Sequence, residues 1–152
     1  MEIISIIISV MSAAFSFITY IKTVRHQKRK ATIEAFNSLQ NEVLDNFVCI
    51  KEDNARIIIE NLDNEECKIA YNDQRALIAR LEHFAVGVSE KIYDFNVVDK
   101  LAGRHLVYLY KKIEPIINEA NKHEQQIVHY QHFVKLVEDL NGKYNILGKE
   151  CN

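Results

Sequence analysis

The chain has 152 residues, a net charge of −2, four glycines and one proline. Residues 1–30 carry +4 and the remainder −6, and an acidic body argues against nucleic acid as the main partner, because backbone phosphates demand the opposite sign. Its length leaves room for one small domain behind an apolar opening, and the scarcity of Gly and Pro, with none before Gly87, favours long helices over sheets with tight turns.

Ile3 to Ile21, IISIIISVMSAAFSFITYI, contains no charge. As a helix, about 19 residues at 1.5 Å each reach about 28 Å, close to the thickness of a bilayer's hydrocarbon core. A cleaved secretory signal would place positive charge before the run and a small-residue cleavage site after it; Met1-Glu2 and Thr19-Tyr20-Ile21-Lys22 supply neither. A buried core helix is normally shorter and two-sided. A transmembrane helix over residues 1–24 is therefore expected. Lys22, Arg25, Lys28, Arg29 and Lys30 follow it directly, with His26 among them. Positive charge is retained on the cytoplasmic side, which predicts a single pass through the cell's inner (plasma) membrane, N-terminus out and body cytoplasmic. Tyr20 sits where an interfacial aromatic belongs, and the basic cluster suits anionic lipid headgroups.

Residues 25–143 read as a helical domain and 144–152 as a tail. From Lys22 to Lys51 there is no breaker, and Ile33, Phe36, Val43, Phe47 and Ile50 recur at helical spacing, so one helix is expected to run on to Glu52-Asp53-Asn54. Residues 55–63 hold Ile57-Ile58-Ile59, strand-like in composition, yet three residues without a partner make no sheet; a short helix or turn is expected. Asp63 with Glu66 has the pattern of an N-terminal cap. The helix behind it, about Asn64 to Lys91, carries Leu77, Leu81, Phe84, Ala85, Val88 and Ile92 as one stripe, flanked by Arg80 and Glu82, with His83 pointing away.

Asp94 is the expected cap of the next helix, whose stripe is Phe95, Val98, Ala102, Leu106, Leu109, Ile113 and Ile116. Gly103 loosens it, and Pro115 predicts a kink or break around Tyr110 to Glu114. A last helix is expected from Glu124 to Leu140, stopped by Asn141-Gly142. The fold class is thus all-α: a transmembrane helix followed by a small cytoplasmic helical bundle. Cys49, Cys67 and Cys151 show no Cys-x-x-Cys spacing and suit free thiols in a reducing compartment.

Arg80, Glu82, Phe84, Ala85 and Gly87, then Tyr93-Asp94, Leu101-Ala102-Gly103, and Tyr110, Ile113 and Pro115 form a pattern that resembles a family of small bacterial membrane proteins, domain of unknown function 4760. Arg29 to Ile33 also fits. The resemblance implies a membrane-anchored helical domain and brings no activity or site residues with it.

Chemistry has to be weighed residue by residue. Arg80 and Glu82 beside an apolar stripe suit an acid/base pair in a pocket, or an ion pair or backbone cap that fixes packing; the second is the expected role, with Arg104 as the cation that meets Glu82. His129 and His132, three apart, would share a helix face, with His123 and Glu124 near, but a zinc site needs more ligands at sharper spacing. No His-Glu-x-x-His and no phosphate-cradling glycine loop occurs. No catalytic residue, cofactor or metal is expected. The reading favoured is a module that docks another protein or itself at the membrane face. The alternative is a membrane-anchored enzyme or ligand-responsive effector, as in stress or phage defence, using Arg80, Glu82 and Arg104.

Overall fold

A computed structural model describes residues 2–44, 52–122 and 129–147. Phe47, Cys49, Ile50, His123, Glu124, Ile127 and Cys151 lie outside them. Among the described residues the protein is helical throughout, with no strand: α1 (Glu2–Leu39), α2 (Glu52–Glu60), α3 (Glu65–Ser89), α4 (Phe95–Lys122) and α5 (Gln131–Tyr144).

α1 changes character along its length. Its first half is exposed on all sides, with Ile3, Met11 and Phe15 at 74, 68 and 73 % exposure. Its second half is one-sided: Thr32, Phe36, Leu39, Val43 and Leu44 are buried, the last two in a single π turn, Gln40–Leu44. Helix past the apolar stretch is as expected. An end near Glu52-Asp53-Asn54 is not found, because these residues are helical in α2; residues 45–51, between the two, lie outside the described residues. α2 turns Ala55 inward, with Ile58 and Ile59 partly buried, so the isoleucine run is helical.

The cap of α3 is Asn64 rather than Asp63: the Asn64 side chain accepts the Glu66 N–H at 2.8 Å. The buried face of α3 runs Tyr71, Gln74, Ile78, Leu81, Phe84, Ala85 and Gly87. Ile92 does not extend it. Lys91 adopts a left-handed φ of 60°, the chain reverses, and Ile92 is left 60 % exposed. Tyr93 N–H returns to Gly87 O at 2.9 Å, and Asp94 caps α4 as expected, its carboxylate accepting the Asn96 N–H at 3.0 Å.

α4 continues unbroken through Pro115. The lost N–H is one hydrogen bond in a helix whose two flanking turns are held by buried Ile113, Ile116 and Ile117, and packing outweighs it. Gly103 has a positive use: a Cβ there would stand 2.7 Å from Asp99 Oδ1 and 3.0 Å from the Tyr144 ring, so the glycine lets α5 cross closely. α5 itself does not stop at Asn141-Gly142. It runs to Tyr144 and ends on Asn145 in the left-handed conformation (φ 49°), while Asn141 Oδ1 accepts the Ile146 and Leu147 N–H groups at 2.7 and 3.0 Å. The expected tail therefore begins inside an ordered helix end.

Glu42 meets Arg80, Phe36 meets Phe84 and Thr32 meets Asp94, so α3 runs antiparallel to α1. Asp99 meets Tyr144 and Tyr110 meets Phe133, so α5 runs antiparallel to α4. The α3–α4 corner thus lies at the end of the bundle nearest the apolar half of α1.

Gly87 is the tightest point of that corner. A Cβ would fall on the Tyr93 ring, 2.6 Å from Cδ2, and that ring is stacked on Phe84 at 5.2 Å, leaving little room to yield. Gly87→Ala should destabilise the chain by about 1–3 kcal/mol through overpacking. Gly142→Ala, where nothing lies within 4 Å, should instead stabilise it by about 0.5–1 kcal/mol through helix propensity. Thermal melts of the full chain in detergent check both signs.

Candidate functional site

The side chains expected to form a polar site do not converge. Arg80 pairs with Glu42 across the α1–α3 groove, both half-exposed at 56 and 52 %, where a pair is worth about 0–1 kcal/mol. The groove is an open cleft of about 370 Å³ lined by Ser38, Glu42, Arg80, His83, Phe84 and Tyr93. Arg104 lies exposed on the outer side of α4, near enough to the Tyr144 hydroxyl to act on it electrostatically.

Glu82 is turned to another task. Its side chain is only 17 % exposed, and its carboxylate accepts the His132 N–H at 3.1 Å and the Phe133 N–H at 2.8 Å, with His132 Nδ1 2.7 Å away. Those N–H groups belong to the first turn of α5. The cap residue of α5, Tyr130, is left-handed (φ 61°) and offers no side-chain bond. Glu82 therefore caps α5 from α3, placing a carboxylate where unpaired donors and the helix dipole both favour one. The expected partner, Arg104, is not the group that meets it. The missing signal was the absence of Ser, Thr, Asp or Asn at 129–130: a helix without its own cap takes one from elsewhere.

His129 and His132 do not share a helix face, because the left-handed Tyr130 lies between them and His129 precedes α5. His129 N–H binds Asn121 Oδ1 at 2.7 Å, and His132 is engaged with Glu82. Among the described residues no group of three or more His, Cys, Asp or Glu is placed to hold a metal. Cys67 is a half-buried free thiol.

Two further clefts flank α5. One of about 310 Å³ has apolar lining from Ala85, Val88, Phe95 and Leu136 and polar lining that includes Lys91, His132, Lys135 and Asp139. Another of about 410 Å³ is lined by Tyr110, Asn118, Asn121, His129 and Glu138, among others. Neither is lined by Gln74, whose buried Oε1 has no hydrogen-bond partner among the described residues. Tyr71, one turn away, is buried beneath the Arg75 guanidinium, and burial raises its hydroxyl above the ordinary phenol value.

Nearer the apolar half of α1, Thr32 is fully buried, donates to Lys28 O at 2.7 Å and accepts the Asp94 N–H at 2.8 Å. Arg29 adds an ion pair to Asp94 at 3.8 Å. At the same end Asp99 accepts from Lys143 Nζ at 2.8 Å and from the Tyr144 hydroxyl at 2.6 Å, and these bonds hold its carboxyl below the ordinary carboxylate range.

Glu82→Ala leaves two N–H groups of α5 without an acceptor and should cost about 1–3 kcal/mol, with Glu82→Gln, which keeps one carbonyl oxygen, between it and the parent. Chemical denaturation of the full chain reads both. Asp99→Asn tests the second staple. Because the folded-state pKa of Asp99 is depressed, its contribution is complete above the ordinary value of 3.8 and is lost as pH falls through the lower folded value. The stability difference between parent and Asp99→Asn should therefore be constant near neutrality and shrink below about pH 4. A difference that grows on acidification would contradict that role.

Comparison with curated proteins and with solved structures finds no match. A sequence model described as "Domain of unknown function (DUF4760)" matches residues 3–140, nearly the whole length over which the helices were built up above. The chain belongs to the DUF4760 family.

Proposed function

We propose that this is a single-pass membrane protein whose helical body lies on the cytoplasmic side and serves as a protein-interaction module rather than an enzyme. The observation that carries the reading is the division of α1. An 18-residue window has mean hydropathy 1.6, and none of it is buried within the protein, while the same helix ends as a packed element of the bundle. Apolar surface exposed on every side costs about 25 cal/mol per Å² in water, and a bilayer removes that cost. Lys22, Arg25, Lys28, Arg29 and Lys30 all follow the apolar run, which supports N-terminus out and body in.

The outer face of α4 supports the interaction role. Leu101 and Tyr108, 46 and 50 % exposed, are two turns apart with Arg104 and His105 between them. An aliphatic, a guanidinium and an aromatic on one rigid face suit a protein surface, in which Arg and Tyr anchors are enriched. The fit is to a protein partner or a second copy, and the acidic body disfavours nucleic acid. The enzyme alternative loses support because Glu82 spends both oxygens on α5.

Epitope tags at the two ends test the topology: in intact cells the N-terminal tag should be cleaved by external protease and the C-terminal tag should survive until the membrane is breached. The opposite result reverses the orientation. A photo-crosslinker at Tyr108 should give a discrete adduct in membranes that Arg104→Glu abolishes, whereas one at Ile69 should not. Equal or absent adducts at the two positions would remove the interaction role.

A further inference from the structure

The corner between α3 and α4 has an exposed apolar residue at its tip, and its charge setting points to what covers it. Ile92 is 60 % exposed, although Tyr93 and Asp94, which follow it in the turn, are partly buried. Lys91, also exposed, takes a left-handed conformation that L residues seldom adopt, and this reversal is what presents Ile92 outward. The corner is fastened to α1 by the Thr32–Asp94 hydrogen bond and the Arg29–Asp94 ion pair.

Thr32 marks the side of α1 that faces the corner. At about 100° per residue, Arg25 lies about 20° from Thr32, Lys28 about 40°, Arg29 about 60° and Lys22 about 80°, whereas Lys30 lies about 160° away. Four of the five basic residues that follow the apolar run are therefore on the corner side. Glu90, Asp94 and Asp99 are carboxylates at this end, Asp94 paired with Arg29 and Asp99 with Lys143, and Asp139 lines the same cleft as Lys91.

We propose that the α3–α4 corner is a second membrane contact: Ile92, with Lys91 beside it and Arg25, Lys28 and Arg29 on the same side of α1, rests in the headgroup layer of an anionic bilayer and fixes the direction in which the bundle leans. The inference rests on α1 being a membrane span. With the helix upright, Thr32 stands about 16 Å beyond Ile21, out of reach of the headgroups. The corner is displaced sideways by about one helix spacing, about 10 Å. A tilt of about 40° toward it, at the upper end of the range for membrane helices, lowers it to about 6 Å from the hydrocarbon edge, and the bilayer thins locally around an apolar run whose reach along the normal is then about 21 Å. That is within the headgroup layer, about 5–8 Å deep. Attraction of each basic residue to an anionic surface supplies the torque, and the asymmetry around α1 gives it a direction.

The chain contains no tryptophan, so a single introduced one reports depth. Full-length Ile92→Trp, Phe17→Trp and Ile69→Trp are reconstituted into vesicles of phosphatidylcholine, with and without phosphatidylglycerol, carrying phospholipids brominated near the headgroup or deep in the chain. Phe17→Trp should be quenched by the deep bromines in both; if it is not, the membrane span itself fails. Given that control, Ile92→Trp should lose most of its emission to the shallow bromines when phosphatidylglycerol is present, and less without it. Ile69→Trp, at the far end of α3, should be unaffected. Arg25→Glu with Lys28→Glu should restore the Ile92→Trp emission. Emission at Ile92→Trp as insensitive as at Ile69→Trp overturns the contact, including the case in which a protein partner shields it, and equal quenching in both lipid compositions overturns the anionic assignment.

Discussion

The Thr32 hydroxyl links two backbones, closing onto Lys28 O within α1 and receiving the Asp94 N–H from the start of α4. Asp94 in turn caps α4 and pairs with Arg29. A β-branched hydroxyl residue is a modest helix former, but here it is fully buried and satisfied on both sides, so replacing it with an apolar residue would leave the Asp94 N–H unpaired in the interior. The position of α3, α4 and the corner relative to the apolar half of α1 depends on that bond. Phe36 and Phe84, edge to face at 6.1 Å, and Tyr93 stacked on Phe84 continue the same contact one turn deeper.

α3 is the element through which the rest is assembled. Its C-terminal end is locked to α1 by the ring ladder, its middle supplies Glu82 to the start of α5, and its first half packs Tyr71, Gln74 and Ile78 inward. The two charged residues beside its stripe show how burial decides worth. Arg80 and Glu42 form a pair in solvent, where hydration competes with attraction. Glu82, largely shielded, answers two donors that have no other acceptor, and removing it strands them.

Much of this was legible in the sequence where the cause is local. The uninterrupted run Ile3–Ile21, the helical periodicity of residues 65–89 and 95–109, and the Asp94 cap each depend on neighbours a few residues apart, and each stands as read. The partners could not be read for a different reason. Glu82 to α5 spans 50 residues, Arg80 to Glu42 spans 38 and Asp99 to Tyr144 spans 45, and no spacing rule reaches that far, so Arg104 is the wrong partner for Glu82. The extension of α5 through Gly142 follows from Lys143 and Tyr144 having a partner in Asp99, which makes a further turn of helix worth more than a glycine stop. Local departures remain as well: Asn64 for Asp63 and the outward Ile92 are one- or two-residue shifts of a boundary, the least determinate feature of a helical pattern, whereas the helix at Glu52-Asp53-Asn54 and the helix through Pro115 override expected stops.

The absence of a glycine or proline between Ile21 and Thr32 has a mechanical consequence. α1 is assigned helical without interruption from Glu2 to Leu39, so the apolar half and the bundle form one lever rather than two parts joined by a linker. A flexible segment there would let the bundle average over orientations, and an exposed face such as Leu101–Arg104–Tyr108 would then have no fixed relation to the apolar half. With a rigid helix, rotating or leaning the apolar half turns α4 by the same angle, since Thr32 and Phe36 carry the motion directly into the α3–α4 corner. The orientation of that outer face is thus set by whatever holds the apolar half of α1.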